Sequence, residues 1–338
     1  MTRFSVALCT HNGGLYLEEQ LASIAAQSRS PDELIICDDC STDSSLSLAY
    51  RFQESAPFPV RIFENSSRLG PTKNFEKAIG LSGGDVVALS DQDDVWMPHK
   101  LEYVEKMLAV HPEAGYVFSD ALVTDETLVG LGYTMWEVVA FSRARRRSFA
   151  RGCQLEVLLK GNVVTGATLA FNADVKGLVL PIPALWMHDG WIALVCSALG
   201  RSGVFIEEPL MYYRQHSDQT IGGVRLGPHG RFQRALSHEA GMHAQDRTRY
   251  HHALNHVIEM GAPTEGHERL FNGKLDHLAV RESLRERPLI EWIRDAAKEL
   301  ASGRYHSYSN GWTSVLKDMV VSLRHAWALS FGPPSRHK

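Results

Sequence analysis

The sequence predicts an α/β protein with a largely parallel central sheet flanked by helices and a helical extension at its C-terminal side. Three observations predict it. Short apolar runs alternate with helical periodicities over the first hundred residues, the order in which crossover helices return the chain to a parallel sheet. The polar clusters Thr10-His11-Asn12, Asp38-Asp39 and Ser90-Asp91-Gln92-Asp93-Asp94 each follow an apolar run. Open α/β sheets bind their ligands there, at the carboxyl ends of strands. From about residue 226 strand-like runs vanish, and histidines, arginines and helix formers take over. The expected domains are 1–225, divided into 1–110 and 111–225, and a helical extension over 226–338.

The elements are read in order. Phe4 to Cys9 is a strand-like run, and Leu17, Leu21, Ile24 and Ala25 then recur at helical spacing. Leu34 to Cys37 is a second strand, closed by Asp38-Asp39. Ser41-Thr42-Asp43 is expected to open a helix, because such side chains cap free backbone N–H groups. Val60 to Phe63 is a third strand. Asn74 to Leu81 is a helix ended by Ser82-Gly83-Gly84, Asp85 to Ser90 a fourth strand and Gly115 to Ser119 a fifth. Beyond residue 226, Val315, Met319, Leu323, Ala326 and Trp327 lie at helical spacing between Trp312 and Phe331.

Bulk properties narrow the class. The chain is 44% hydrophobic and 22% charged, with 35 Lys and Arg against 39 Asp and Glu, net −4. This is ordinary for a soluble globular protein and gives no global drive toward nucleic acid. No run approaches the ~18 apolar residues of a membrane span, and no secretory signal is visible. The five scattered cysteines suit a reducing cytoplasm, the expected location. Cys37 and Cys40 form a C-x-x-C, which without a second pair reads as a strand end and the turn after it.

The acidic cluster at 91–94 is the strongest chemical signal. Carboxylates gathered at a strand end repel one another unless a cation is present. Hard oxygen donors select Mg²⁺ or Mn²⁺, which commonly bridge protein carboxylates and substrate phosphates. Asp38 or Asp39 could accept from a base N–H or ribose hydroxyls, or cap the next helix. Thr10-His11-Asn12-Gly13-Gly14 is neither a G-x-G-x-x-G fingerprint nor a phosphate loop ending in Lys-Ser/Thr, so a dinucleotide dehydrogenase and a P-loop nucleotidase both lose support.

Three segments, Val6 to Gly13, Glu33 to Asp43 and Val87 to Trp96, together with Lys73-Asn74-Phe75, resemble the family-2 glycosyltransferases of the GT-A fold in order and spacing. The rhamnosyltransferase-like enzymes of bacterial surface polysaccharide synthesis are the nearest subgroup. The resemblance covers about residues 4–220. It implies that 1–110 binds a nucleotide sugar and 111–225 an acceptor. Thr10, His11 and one of Asp38 or Asp39 would hold the nucleoside, with Asn12 and Gln92 in the same donor-binding set. Lys73 and Asn74 would lie near the donor, Asp91 would contact ribose or sugar, and Asp93 would bind the metal. Asp189 of His188-Asp189-Gly190-Trp191 would be the catalytic base, in a motif where an acidic residue is commoner than His188. In Tyr212-Tyr213-Arg214-Gln215-His216, Arg214 would pair with phosphate and His216 would bind metal. Cys40 departs from the glycine usual at its position.

The implied activity is inverting transfer of a sugar, rhamnose among the candidates, from a UDP- or dTDP-sugar to a hydroxyl of a carbohydrate or lipid-linked carbohydrate. A sugar-nucleotide nucleotidyltransferase and a non-catalytic nucleotide-sugar-binding module are the alternatives. Three further features stay secondary. Arg143, Arg145, Arg146 and Arg147 read as a solvated loop before an anion site. His238, His243, His251, His252 and His256 read as ordinary histidines before a zinc site. Trp312 to Phe331 reads as a packed helix, with peripheral membrane contact kept open.

Overall fold

Every residue of the first strand, β1 (Phe4–Thr10), is buried, as expected of a strand whose sheet is covered on both faces. The computed structural model describes residues 2–217, 219, 242–261, 264–283 and 289–331, the side chains of 289 and 324–331 excepted. It divides into two compact units, residues 1–154 with 163–225, and residues 155–162 with 226–338.

In the first unit β1 is followed by α1 (Leu17–Ala25), β2 (Glu33–Asp38), α2 (Ser45–Ser55), β3 (Val60–Glu64), α3 (Pro71–Leu81), β4 (Val86–Ser90) and β5 (Val95–Trp96). Then come α4 (Lys100–Val110), β6 (Tyr116–Thr124), β7 (Gly130–Thr134), α5 (Met135–Val138), α6 (Arg143–Ala150) and α7 (Gln154–Lys160), whose residues from 155 belong to the second unit. β8 (Ala170–Asn172), α8 (Lys176–Val179), α9 (His188–Ala198) and β9 (Gly203–Arg214) complete it. The sheet order is β3-β2-β1-β4-β8-β6-β9-β5, with β7 on β6. It is parallel across β3-β2-β1-β4 and mixed beyond, because β8 runs antiparallel to both β4 and β6. Thr10 stands beside Asp38, and Leu8 beside Ser90, so three parallel strands end on one rim.

The helix expected from Ser41 begins instead at Ser45. Asp43 Oδ1 still accepts the N–H of Ser45, the first helical residue, at 3.0 Å, while the other polar groups of the segment turn to the neighbouring loop. The N–H groups of Asn12, Gly13 and Gly14 donate to Ser41 Oγ (2.9 Å), Ser45 Oγ (2.8 Å) and Asp43 Oδ2 (2.8 Å). In return Asn12 Oδ1 accepts the Thr42 N–H at 2.8 Å. The turns after β1 and β2 are thereby latched together. α3 opens three residues earlier than its apolar pattern suggests, at Pro71, whose missing N–H is harmless in a first turn.

The second unit contains α10 (Met242–Gly261), α11 (Glu265–Ser283), α12 (Leu289–Ala301), α13 (Arg304–Tyr308) and α14 (Trp312–Phe331). Its interior is polar along one face of α11. His277 lies between Glu299 (2.7 Å) and Ser309 (3.3 Å), and Arg281 makes a bidentate pair with Asp318 at 2.7 and 2.8 Å. Of the five histidines considered for zinc, His238 lies outside the described residues. Among the described residues no group of three or more His, Cys, Asp or Glu could hold a metal ion, and no helix is long and apolar enough to cross a membrane.

All five cysteines are free. Cys40 has φ +62°, the left-handed region that glycine adopts without strain, and its Sγ lies 3.1 Å from the Asn65 carbonyl oxygen. Cys40→Gly is therefore expected to hold stability within about 1 kcal/mol, whereas Cys40→Val should lose a further ~1–2 kcal/mol because a β-branched side chain is disfavoured there. Urea unfolding of the two variants checks this; equal losses would show that the turn is not conformationally demanding.

Candidate active site

The rim is assembled around Gln92. Its Oε1 accepts from Thr10 Oγ1 and from the His11 N–H, both at 2.7 Å, and its Nε2 donates to the His11 carbonyl at 3.1 Å. The amide thus bolts the acidic turn after β4 to the turn after β1. A Cβ on Gly13 would stand 2.2 Å from Gln92 Oε1, so glycine is required for this approach. Thr10 is buried, while His11 is half-exposed with Nδ1 fixed at 2.7 Å from the Asp39 carbonyl oxygen. That bond leaves Nε2 and the ring face for a ligand.

The two aspartates after β2 divide their work. Asp38 accepts from the backbone and hydroxyl of Ser41, closing its own turn. Asp39 reaches further: Oδ1 accepts from Asn65 Nδ2 (2.8 Å) and the Leu69 N–H (2.7 Å), and Oδ2 from the Gly70 N–H (2.8 Å). Burial raises the Asp39 pKa, but these donors and nearby His11 outweigh it and hold the carboxyl below its usual value. Asn74 belongs to the same scaffold and does not face outward. It is 2% exposed, donating to the Cys37 carbonyl at 2.8 Å and accepting from Asn65 at 2.9 Å. Lys73 pairs with Glu76 at 2.7 Å, and Glu76 also accepts the Ile182 N–H at 2.6 Å, which ties α3 to the segment leading into α9.

The acidic turn is the electrostatic centre. Burial, with the charges of Asp93 and Asp189, pushes the Asp91 carboxyl up to about 7, partly opposed by Lys100. Asp94 is fully buried, accepts the Arg214 N–H at 3.1 Å through Oδ1, and has no partner for Oδ2. Burial and its two acidic neighbours push its pKa well up. Lys100 lies beneath, 1% exposed at the first turn of α4, where the helix dipole disfavours a cation. Its ammonium donates to the Ala167 carbonyl and sits 3.9 Å over the Trp96 ring. Burial brings its pKa down to about 7 against the pull of Asp94 and Asp91.

β9 returns its end over this turn. His216 Nε2 lies 2.9 Å from Asp93 Oδ2. Arg214, expected to meet phosphate, is 2% exposed and engaged by the protein instead. Its Nε donates to the Asp93 carbonyl at 2.8 Å, its other nitrogens to the Glu126 carbonyl and the Glu19 carboxylate, and its plane lies 4.5 Å over the Tyr16 ring. The Tyr16 ring also packs 4.8 Å from that of His216. Tyr16, Glu19 and Lys100 carry no motif, and only their place on α1 and α4 beside this turn reveals them.

Asp189 stands in the first turn of α9, with its two oxygens accepting the Gly166 N–H (3.1 Å) and the Gly190 N–H. Its charge reaches Asp91, so the two face one region. His188, its neighbour, is a core side chain. It is buried, stacked 4.1 Å from Phe75, and without a partner for either ring nitrogen; burial drives its pKa down to about 3. Within the pair it is Asp189 whose charge is felt at the acidic turn.

With this geometry in view, comparison defines the class. A sequence profile of Glycosyl transferase family 2 matches residues 5–152. The dTDP-rhamnosyl transferase RfbG of Shigella flexneri is 36% identical over 232 residues, 64% of this chain and 73% of RfbG. An uncharacterized glycosyltransferase of Nostoc is 29% identical over 63% of this chain, which spans 65% of that relative's length. Among solved structures, S. aureus TarS in complex with UDP-GlcNAc superposes with a TM-score of 0.59 at 16% identity, covering 99% of this chain and 94% of that one. The mannosyltransferase PcManGT of Pyrobaculum calidifontis, solved with GDP-Man and Mn²⁺, gives 0.52 at 17%, covering 96% and 87%. The fold is that of the GT-A glycosyltransferases. The chain belongs to glycosyl transferase family 2.

Two outcomes test the site. Arg214→Met should cost about 3 kcal/mol or more, since it strips donors from buried acceptors. Unchanged urea stability with weaker nucleotide binding would instead put the guanidinium on phosphate. For Asp91, the folded pKa of about 7 exceeds the ~4 of an unfolded aspartate, so the folded state binds the extra proton. The associated stability is complete below about pH 4 and lost as pH rises through about 7. Chelator-treated protein should weaken across that window, and Asp91→Asn should flatten the decline. Parallel profiles would assign the slope to another group.

Proposed function

We propose that this protein is an inverting glycosyltransferase that moves a hexosyl or deoxyhexosyl group from a UDP- or dTDP-sugar to an acceptor hydroxyl, with the help of Mg²⁺ or Mn²⁺. The observation that carries the reading is the convergence of Asp91, Asp93 and His216 with Asp189 at the carboxyl ends of β1, β2 and β4. Similarity to the Shigella dTDP-rhamnosyl transferase favours dTDP and rhamnose, and bacterial surface polysaccharide as the setting. The acceptor is then a carbohydrate, free or lipid-linked, and the cytoplasm is the expected compartment.

The donor set fits a hard divalent cation. Asp93 Oδ2 and His216 Nε2 are hydrogen-bonded here at 2.9 Å. These two would hold the cation, exchanging that bond for it. When bound, the cation neutralises charge on the leaving nucleoside diphosphate.

The protein's own groups supply the rest. Asp39, with one lone pair still unfilled, or Asp38 accepts the base N–H that uracil and thymine share. Thr10, His11 and Asn12 frame the nucleoside, the His11 ring face being free to stack. Gln92 and Asn74 hold the frame from behind, Lys73 stands at the entrance, and Asp91 contacts ribose or sugar. Arg214 fixes the backbone of Asp93. Asp189 takes the proton of the acceptor hydroxyl as its oxygen bonds to the anomeric carbon from the side opposite the breaking carbon–oxygen bond, and the nucleoside diphosphate leaves with that bond's electrons.

The test is thermal stabilisation by UDP, dTDP, GDP and CMP with and without Mn²⁺, since a ligand of the folded state raises the melting temperature by mass action. One pyrimidine diphosphate should stabilise only with metal, and Asp93→Asn should abolish that dependence. Asp189→Asn should keep the shift while transfer falls on the order of a thousandfold. No shift from any nucleotide on folded protein would sink the donor site; transfer retained by Asp189→Asn would sink the base.

A further inference from the structure

The start of α9 is held from α3. Thr72 Oγ1 donates to the Trp186 carbonyl at 2.9 Å, and the Phe75 ring stacks on that of His188 with centroids 4.1 Å apart. Met187, the residue before the helix, makes no side-chain cap. His188 is buried, yet neither ring nitrogen has a hydrogen-bond partner among the described residues. A buried imidazole left this way forfeits the hydrogen bonds that water would give it. An aliphatic side chain would fill the same space without that loss. What the surroundings use is therefore the size and place of the ring.

The edge of that ring meets Gly166. A Cβ at Gly166 would stand 2.5 Å from His188 Nε2, well inside contact distance. The ring has little room to swing aside, because Phe75 lies against its face and the site is buried. Gly166 opens the short 3₁₀ turn Gly166–Thr168, and its N–H donates to Asp189 Oδ2 at 3.1 Å. The turn is fixed from its other side as well. Lys100 Nζ donates to the Ala167 carbonyl at 2.5 Å, and the Leu89 N–H of β4 to the Leu169 carbonyl at 2.9 Å. The first two residues of α9 thus touch one glycine, His188 by contact and Asp189 by a hydrogen bond. The spacing that the ring imposes sets where the Gly166 N–H meets the carboxylate.

We propose that His188 and Gly166 are positioning residues for Asp189, the ring setting the distance between α9 and the 166–168 turn so that the Gly166 N–H orients the carboxylate for proton abstraction. This rests on the reading of Asp189 as the base. The test is a double-mutant cycle of Gly166→Ala and His188→Ala. It is read as nucleotide released from dTDP-rhamnose or UDP-glucose with Mn²⁺ and water or a free hexose as acceptor, alongside the melting-temperature shift with dTDP or UDP. Gly166→Ala should lower kcat at least about tenfold while donor KM and the nucleotide shift hold within about twofold, since a displaced carboxylate costs turnover and not donor binding. In the His188→Ala background, where the added methyl has room, the same change should cost less than about twofold. His188→Leu, close to histidine in volume, should recover most of the kcat that His188→Ala loses. Crystals of Gly166→Ala should show the N–H of residue 166 moved beyond hydrogen-bond reach of Asp189. Equal fold losses in both backgrounds overturn the proposal, as do an unmoved bond in those crystals and a fall in kcat matched by loss of the nucleotide shift. If Asp189→Asn keeps full turnover, the reading of the base fails and this inference with it. If Asp189→Asn loses turnover while Gly166→Ala keeps it, this inference alone fails.

Discussion

The mutual repulsion of carboxylates at the end of β4 constrains everything around them. Asp91, Asp93 and Asp94 lie within four residues of one another, and Asp189 adds a fourth charge from α9. A folded chain can tolerate this only by neutralising some charges and countering others. It does both. Burial pushes the Asp94 pKa well up, Asp91 is poised near neutrality, and Lys100 is sunk beneath them where both burial and the helix dipole oppose a cation. An ammonium in so poor a place is intelligible only through the negative field above it.

The same constraint explains why the side chains around the site are largely engaged with the protein. Side-chain hydrogen bonds tie the rim together so that its parts do not drift. Gln92 joins the turns after β4 and β1, Asn12 and Asp43 join those after β1 and β2, and Asp39 draws in residues 65–70. Arg214 closes the ring by gripping Asp93 from behind while it lies on Tyr16. Of the remaining site groups the His11 ring is half-exposed, and the Asp93–His216 pair is only 15% and 8% exposed.

The second unit applies a related economy. Its core uses a buried ion pair, Arg281 with Asp318, and a buried hydrogen bond between His277 and Glu299, where a helical bundle would usually use apolar packing. Bringing Lys317 and Asp318 of α14 inside leaves Trp312, Leu316 and Leu323 outside. The interior pairing and the exposed surface are consequences of one arrangement, since a helix with its polar stripe turned inward must show its other stripe to the surroundings.

Much was legible in the residues themselves. Alternating apolar runs and helical periods imply a layered α/β sheet, and strand ends rich in aspartate imply where its ligands bind, because both depend on local period and on the rule that parallel strands point their carboxyl ends at the site. The left-handed turn at Cys40 could be suspected from the glycine usual there, but its φ could not. Nor could the sequence tell a side chain that faces a ligand from one that supports its neighbour. Arg214 and Asn74 have the chemistry for donor contact and are buried scaffold; Ser41 has the chemistry of a helix cap and serves the adjacent turn. Tyr16, Glu19 and Lys100 belong to no motif at all. The residue types and their spacing determined which strands form and which chemistry gathers at their ends. Only the tertiary structure decided which polar groups are consumed by one another, because that depends on distances between segments far apart in the chain, which no local pattern encodes.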